Sequence, residues 1–304
     1  MLNATALLLI FAVAFVNGYT DAPSSVATAL YTGAIRSRYA FLLCGAFNFL
    51  GVVIAYELCP SISDFVFSLA GDASSLGACI CLTCVVLFGI VTSFLGLPSS
   101  ESHALISGAC GVLFATNFDT KALKMLGYVF VFTVFSSALA FLISMLTSRL
   151  FNESQYTGRV QICSFLLSSF MHGWQDGLKL IGIGLCLGTA YILPSALALL
   201  IALAVAIGSL LGSDKITRTL GAGLTELTPQ SALCAEVGSY LTLCVFSVFG
   251  IPLSTGNVKS LAIVGAGLGK GQKINKKAAL KVVLTSCATF PICFFACYFA
   301  AKLF

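Results

Sequence analysis

The stretch Asn17-Gly-Tyr-Thr-Asp21 places a carboxylate inside an apolar run near the start of the chain, and His172-Gly-Trp-Gln-Asp176 repeats this arrangement near its middle. Each stretch is followed by a second motif, Gly96-Leu-Pro-Ser-Ser100 in the first case and Gly250-Ile-Pro-Leu-Ser254 in the second. The separation from the aspartate to the following proline is 77 residues in one pair and 76 in the other. Two motif pairs in the same order at nearly the same spacing predict two copies of one unit.

The composition around these motifs is that of a membrane protein. Only 9% of the 304 residues are charged and 59% are hydrophobic, whereas a soluble domain keeps about a quarter of its residues charged. No stretch is polar enough to form a separate soluble domain. The apolar segment Leu2 to Val16 lacks the basic start and small-residue cleavage site of a signal peptide, so we expect it to remain in the mature protein. The thirteen cysteines are interpreted as small packing residues.

Polar residues divide the chain into ten apolar segments, long enough to cross a bilayer at about 20 residues each. The predicted crossings are 1–35, 40–57, 74–94, 96–116, 121–148, 161–189, 192–212, 234–249, 251–270 and 278–301. The first, fourth, sixth and ninth contain glycine, proline, serine or charge near their centres, so we predict broken helices there. We therefore predict an all-α polytopic membrane protein with two inverted repeats of about five crossings, whose broken helices meet near the bilayer midplane. The repeats are expected at 1–148 and 161–304, joined by a cytoplasmic linker at 149–160.

The distribution of charge in the loops supports the inversion, because cytoplasmic loops collect Lys and Arg. Loop 36–38 holds two arginines, and its counterpart near residue 190 has none. Loop 57–72 is acidic, while its counterpart carries Lys215 and Arg218, and five lysines lie between residues 270 and 281. These assignments predict a multi-pass protein of the cell membrane with both termini on the extracytoplasmic side.

Four acidic residues fall within the predicted membrane core, namely Asp21, Glu101, Asp176 and Glu236. An ionisable residue at this depth is costly and indicates a functional site. We expect each aspartate to lie where a helix restarts, where a carboxylate can also act as a helix cap. The duplication favours function over capping, because a cap needs no twin in the other repeat.

The second motif of each repeat is a proline followed by hydroxyl groups. A proline suits the first turn of a helix, and the free N–H groups and dipole of that turn favour an anion. Two such helix ends from opposite repeats would form a cradle of neutral donors near the midplane. The nearby carboxylates suit a coupling cation, so the residues indicate an anion site and a cation site side by side.

The motifs resemble those of one known family. The segment from Gly18 to Thr32, Gly-Tyr-Thr-Asp-Ala-Pro-Ser-Ser-Val-Ala-Thr-Ala-Leu-Tyr-Thr, is similar to the pattern G-A-N-D-x-A-N-x-V-A-T-A-x-G-T of PiT-type inorganic phosphate transporters. His172 to Gly182 resembles its second copy, H-G-x-N-D-x-Q-K-x-x-G. The segments 96–103 and 250–257 resemble the duplicated G-L-P-V-S-T-T-H, and Glu236 matches an acidic position between the second pair of motifs. The resemblance covers nearly the whole chain.

This resemblance implies a symporter that imports inorganic phosphate, coupled to sodium or to protons, by alternating access. It implies no cofactor and no catalysis, with sodium as the preferred coupling ion. The substrate-binding residues it implies are Ser24, Ser25, Ser100, Ser102, Gln175, Ser254, Thr255 and Asn257, with Thr28 on the same helix. The residues it implies for the coupling cation are Asp21, Asp176, Glu236, Thr20 and Glu101, of which Asp21 and Asp176 are the expected sodium ligands.

The sequence departs from the family pattern at four positions. Thr20 and Gln175 replace the asparagine before each aspartate, Glu101 replaces a neutral threonine, and Asn257 replaces the second histidine. A carboxylate beside an anion is unfavourable unless it is paired. Lys179 and Lys259 are the candidate partners of Glu101.

Other functions are considered beside phosphate symport. Sulfate or another tetrahedral oxyanion is the main rival within transport, and phosphate is preferred because it carries a proton that a carboxylate accepts. A membrane-embedded aspartyl enzyme would also place two aspartates together, but it needs no duplicated anion cradle, and a channel needs a continuous pore. The expected partners are phosphate, sodium or protons and the lipid bilayer, without nucleic acid; a homodimer is left open.

Overall fold

The computed structural model describes residues 2–58, 74–117, 120–151, 157–188, 192–251 and 253–303. Over these residues the chain is helical, apart from loops and one isolated bridge between Thr225 and Ile274. The helices of the first half are α1 (Leu2–Tyr31), α2 (Ser37–Leu58), α3 (Ser75–Phe94), α4 (Glu101–Asn117) and α5 (Thr120–Leu150). Those of the second half are α6 (Thr157–Gly188), α7 (Pro194–Leu211), α8 (Asp214–Arg218) with a π-helical turn at Thr219–Gly223, α9 (Pro229–Val248), α10 (Thr255–Gly269) and α11 (Lys276–Leu303).

Seven of the described helices are long and apolar enough to span a bilayer, namely α1, α2, α3, α5, α7, α9 and α11. This confirms an all-α polytopic membrane protein. The helices α4 and α10 are 17 and 15 residues long, which is short of the roughly 20 residues that a crossing needs. A crossing by α4, by α6 or by α10 stays a prediction, as do the orientation of the termini and the boundaries of the linker. Most of the acidic loop 57–72 lies outside the described residues.

The packing of the helices repeats itself when the two halves are exchanged. Helix α1 packs against α7 as α6 packs against α2, and α4 packs against α11 as α10 packs against α5. Helix α3 lies on α1 as α9 lies on α6, while α2 and α7 contact each other across the centre. This reciprocal pattern is the one expected of two structural repeats related by a two-fold axis.

Glycines bring the halves into contact at equivalent positions. A Cβ atom added at Gly18 would lie 2.1 Å from the carbonyl oxygen of Val205, and one at Gly173 would lie 2.0 Å from that of Asn48. No side chain fits into either gap, so the backbones of α1 and α7, and of α6 and α2, touch directly. Small residues allow such close approach in membrane helices. Both glycines lie three residues before the aspartate of their motif.

The helix breaks occur at the second motif of each half. Gly96 and Gly250 both have φ of 65° and end α3 and α9, because glycine adopts this left-handed conformation without steric cost. The chain then leaves the helix until Ser100 or Ser254, each of whose hydroxyls caps the first turn of the following helix. Pro252 lies outside the described residues.

The predicted breaks at the aspartate motifs are wrong, since α1 and α6 run without interruption through Asp21 and Asp176. Pro23 lies inside α1 and cannot donate to the carbonyl of Tyr19. The backbone N–H of Ser213 donates to that carbonyl instead, at 2.9 Å, so the helix continues with its lost hydrogen bond replaced. Both aspartates therefore lie in helix interiors, and neither is a helix cap.

The buried cysteines behave as predicted from their apolar surroundings. Cys81, Cys293 and Cys297 belong to one hydrophobic core cluster that includes residues of α3 and α11. Among the described residues, no group of three or more histidine, cysteine, aspartate or glutamate side chains is arranged to hold a metal ion.

Candidate functional site

The two helix breaks meet at the centre of the molecule. The hydroxyl of Ser102, in the first turn of α4, donates to the carbonyl of Leu253 in the second break at 3.3 Å. On the other side, Gly256 faces the carbonyl of Ser99, and a Cβ atom there would lie 3.4 Å from that oxygen and 3.6 Å from the hydroxyl of Ser24. The N-terminal ends of α4 and α10 thus converge beside α1.

Asp21 joins the first half to the second break. Its side chain is buried, and its Oδ2 accepts a hydrogen bond of 2.6 Å from the hydroxyl of Thr255, the first residue of α10. It also interacts electrostatically with Asp176, Glu101 and Lys179. Two aspartates that are distant in sequence therefore belong to one electrostatic cluster.

Asp176 is fully buried and forms an ion pair with Lys179, one turn further along α6, whose Nζ lies 2.8 Å from Oδ1. The contact is an ion pair by distance, but it lacks the alignment of a hydrogen bond. The same ammonium donates to Ser102 at 2.5 Å. Lys179 therefore brings a positive charge to the N-terminus of α4, while Oδ2 of Asp176 has no hydrogen-bond partner.

Glu101 follows the capping serine of α4. Its Oε1 accepts a hydrogen bond from Ser99 at 3.1 Å, and its Oε2 has no hydrogen-bond partner. The carboxylate lies against Gly89, where a Cβ atom would be 3.4 Å from Oε1. The expectation that a lysine pairs with Glu101 is not met, because the two ion pairs in the described structure join Lys179 to Asp176 and Lys259 to Glu236.

The residues that precede the two aspartates make different contacts. The amide of Gln175 accepts from the N–H of Leu253 at 2.9 Å and donates to Ser247 at 2.7 Å. It thus holds the second break against α6. Thr20 instead donates to the carbonyl of Val16 in its own helix, at 2.9 Å.

The remaining predicted ligands fall into two groups. Ser100 and Ser254 accept from backbone N–H groups three residues further on, and Asn257 donates to Ser286 on α11. These three side chains are engaged within the protein. Ser24 and Ser25 are both buried. The hydroxyl of Ser24 has no hydrogen-bond partner and lies beside Gly256, whereas that of Ser25 contacts the thiol of Cys44. Ser24 is therefore available to a ligand at the point where the breaks meet.

Glu236 lies apart from this centre, on α9. The hydroxyl of Thr28 on α1 donates to its Oε1, and Lys259 on α10 lies against its Oε2. The sequence analysis selected the four acidic residues as site residues and named Lys179 and Lys259 only as partners of Glu101, whereas they pair with Asp176 and Glu236. The rule that an intramembrane charge is functional applies equally to these lysines, and it is the signal that identifies them.

The fold and the site define a class of protein. Two equivalent helical units, with helix breaks that meet beside buried charges, have the repeat architecture found in many membrane transporters.

The family follows from comparison with known proteins. A model of the phosphate transporter family matches residues 17–159 and again 149–297. A probable low-affinity inorganic phosphate transporter of Rhizobium meliloti is 32% identical in sequence, and the match covers 95% of this chain and 93% of the relative. A probable low-affinity inorganic phosphate transporter of Bacillus subtilis is 27% identical, and the match covers 96% of this chain and 94% of the relative. The chain belongs to the phosphate transporter family. This membership confirms the resemblance and the prediction of a transporter rather than an enzyme.

A solved structure shares the fold. The protein described as "the sodium-dependent phosphate transporter" superimposes with a TM-score of 0.84 over 99% of this chain and 98% of its own, at 18% sequence identity. The arrangement of helices in this chain is therefore that of a phosphate transporter.

Proposed function

We propose that this protein imports inorganic phosphate together with sodium across the cell membrane by alternating access. The observation that carries the proposal is the convergence of the α4 and α10 N-termini beside Asp21 and Asp176. Ser102 connects the two breaks directly, and Thr255 connects the second break to Asp21. An anion at the helix ends and a cation at the aspartates would thus be adjacent.

The anion side of the site is built from neutral donors and one ammonium group. The N-terminal turns of α4 and α10 offer backbone N–H groups and the positive ends of two helix dipoles. The free hydroxyl of Ser24 and the ammonium of Lys179 add donors around the same point, and Ser25 remains a predicted ligand. Ser100, Ser254 and Gln175 hold the two breaks in position in this state. Asn257, bonded to α11, remains a predicted ligand.

The balance of buried charge supports co-transport of cations. Four buried carboxylates, on Asp21, Glu101, Asp176 and Glu236, face two buried ammonium groups, which leaves an excess of two negative charges when all are ionised. Two like charges 4 Å apart repel by about 4 kcal/mol at the effective dielectric constant of a protein. An anionic substrate is therefore expected to enter only with cations, and Asp21, Asp176 and Glu101 are the proposed ligands, with Thr20 beside them.

The second candidate substrate is sulfate. Phosphate at neutral pH keeps a proton that a carboxylate accepts as a hydrogen bond, whereas sulfate has none. The free oxygens of Asp176 and Glu101 are acceptors of this kind. The site therefore favours phosphate.

The test is uptake of radiolabelled phosphate into proteoliposomes that contain the purified protein. Vesicles under an inward sodium gradient are compared with vesicles in which potassium replaces sodium, with and without an inward proton gradient. We expect uptake that requires sodium and is not reduced by an excess of sulfate. Uptake driven by protons alone would contradict sodium coupling, and the absence of phosphate uptake under every gradient would contradict the function itself.

A further inference from the structure

Lys259 and Glu236 form an ion pair in the interior of the protein, away from the convergence of the helix ends. The Nζ atom lies 2.5 Å from Oε2, and neither residue has any exposed surface. The ammonium is in ion-pair contact without the alignment of a hydrogen bond. Oε1 of the same carboxylate accepts a hydrogen bond from Thr28 on α1. One carboxylate thus joins three helices, α1, α9 and α10.

A carboxylate at this depth needs a positive counter-charge or a proton, because an isolated buried charge is strongly unfavourable. An intramembrane acidic residue in a cation-coupled transporter commonly obtains this charge from the transported ion. At Glu236 the charge is supplied by the chain itself. The carboxylate of Glu236 and the hydroxyl of Thr28 offer the oxygen ligands that a sodium ion prefers. The ammonium of Lys259 occupies the place where such an ion would bind.

The position of Lys259 on α10 connects this pair to the proposed site. Lys259 lies four residues after Thr255, so both side chains project from the same side of the helix. Thr255 bonds to Asp21 of α1, and Lys259 bonds through Glu236 to Thr28 of the same helix. The ammonium therefore lies one helical turn from Thr255, the residue of α10 that bonds to the proposed cation ligand Asp21.

We propose that Lys259 is a built-in counter-cation, which occupies the place of a mobile sodium ion at Glu236. Glu236 then binds no transported ion, and each transport cycle carries one cation fewer than it would with a neutral residue at position 259. This inference rests on the proposed function, since it concerns the ions that accompany the anion. It reassigns Glu236 from the coupling-cation site to a fixed ion pair.

The test removes the ammonium group of residue 259 and measures whether a sodium ion then binds at Glu236. Lys259→Met and Lys259→Gln remove the charge with similar side-chain length, Lys259→Arg keeps it, and the double variant Glu236→Gln/Lys259→Met removes both charges. The Tm of each protein in detergent is measured without phosphate, as sodium chloride replaces choline chloride at constant ionic strength. A ligand that binds only the folded state raises the Tm with its concentration.

We expect the two neutral variants to be less stable than the parent in choline and to gain an additional sodium-dependent rise in Tm. The arginine variant and the double variant should respond to sodium as the parent does. In proteoliposomes, the ratio of labelled sodium to labelled phosphate taken up should increase by about one in Lys259→Gln. If both neutral variants respond to sodium no more than the double variant, or are restored by acid and not by sodium, the proposal is overturned.

The two proposals fail in different ways. The Tm measurement needs no phosphate and no transport, so a sodium response confined to the neutral variants supports the role of Lys259 even if the parent carries another anion. Absence of phosphate uptake by the parent contradicts the proposed function and leaves the result at Glu236 unaffected.

Discussion

At the scale of single residues, the contact between Asp21 and Thr255 connects the two halves at the proposed site. The hydrogen bond of 2.6 Å joins a residue in the middle of α1 to the first residue of α10. On the other side, Asp176 has an ion pair with Lys179 in its own helix and one oxygen without a hydrogen-bond partner. The two aspartates are equivalent in sequence, but their partners differ.

Replacement of each aspartate by its amide tests whether its charge is required. Asp21→Asn and Asp176→Asn keep the size and remove the charge, so we expect sodium-driven phosphate uptake to fall to background in both. The Tm should change little for Asp21→Asn and fall for Asp176→Asn, which leaves the buried ammonium of Lys179 without its ion-pair partner. The control is Asp214→Asn, which removes an exposed carboxylate at the start of α8 and should leave uptake unchanged. Normal uptake by either variant would show that this aspartate is not a ligand of the coupling ion.

Thr255 offers a test of the contact itself. Thr255→Val removes the hydroxyl that donates to Asp21 and leaves a buried acceptor unpaired, which costs about 1–3 kcal/mol. Because the carboxylate of Asp21 is then no longer held against the start of α10, we expect the affinity for sodium to fall by about tenfold, which corresponds to about 1.4 kcal/mol. The measurement is the sodium concentration for half-maximal uptake. Thr255→Ser keeps the hydroxyl and should behave like the parent. Equal effects of the two substitutions would indicate a packing role.

At the scale of elements, four glycines decide how the helices meet. Gly18 and Gly173 allow backbones to touch, whereas Gly96 and Gly250 allow the chain to leave α3 and α9. The unbroken course of α1 through Pro23 depends on a third element, since Ser213 before α8 supplies the hydrogen bond that the proline cannot make. The glycines that allow close helix contact and the glycines that end helices thus lie in different motifs. Each kind occurs at equivalent positions in the two halves.

Close packing at Gly173 predicts a loss of stability on substitution. Gly173→Ala would place a Cβ atom 2.0 Å from the carbonyl oxygen of Asn48, which forces α2 and α6 apart. Overpacking of this kind costs about 1–3 kcal/mol, so the Tm in detergent should fall by several degrees. The control on the same helix is Gly158→Ala, because a Cβ atom there meets nothing within 4 Å. A similar Tm for both variants would contradict direct backbone contact.

Some of these helix contacts and breaks could be predicted from the sequence, and others could not. The spacing of Asp21 and Asp176 from the two proline motifs was sufficient to predict two equivalent halves. The glycine, proline and serine content of the fourth and ninth crossings predicted breaks there, which the structure places at the start of these segments, before α4 and α10. It also suggested breaks at the aspartates, because proline and glycine nearby resemble a helix start. That inference failed at Pro23, where the replacement hydrogen bond comes from a residue 190 positions away and no local pattern reveals it.

The partners of charged residues were the least predictable part of the site. Glu101 was expected to pair with a lysine, yet Lys179 pairs with Asp176 of its own helix and Lys259 pairs with Glu236 of a neighbouring helix. Lys179 lies three residues from Asp176, so this pair could have been read from helical spacing. The pair of Lys259 with Glu236 depends on the packing of α10 against α9, which the sequence alone does not define.

At the scale of the whole molecule, the buried charges link the anion to the cations. The described core holds four carboxylates and two ammonium groups, and under the proposed function its negative excess would make the binding of an anion depend on bound cations. Because such coupling is reciprocal, sodium and phosphate should each strengthen the binding of the other by the same factor.

This reciprocity is measurable without transport. Phosphate should raise the Tm of the purified protein when sodium is present and have little effect when choline replaces it, since the ligand stabilises only the state it binds. Sulfate at the same concentration serves as the control for ionic strength and charge. An equal rise in Tm with phosphate in sodium and in choline would contradict coupling between the two sites.

The equivalence of the halves also describes a second conformer of the protein. The position of Thr255 in α10 corresponds to that of Glu101 in α4, yet only Thr255 holds the aspartate of the opposite half. If the halves exchange roles, Thr255 releases Asp21 and Glu101 approaches Asp176, and Lys179 or a bound cation must then lie between these two carboxylates. Repeats of opposite orientation would then present the site to the other face of the membrane. The inward-facing and outward-facing forms would then differ in which half contributes the helix end that contacts the aspartate of the other half. The contacts of the second form are obtained by exchanging each residue for its equivalent in the other half.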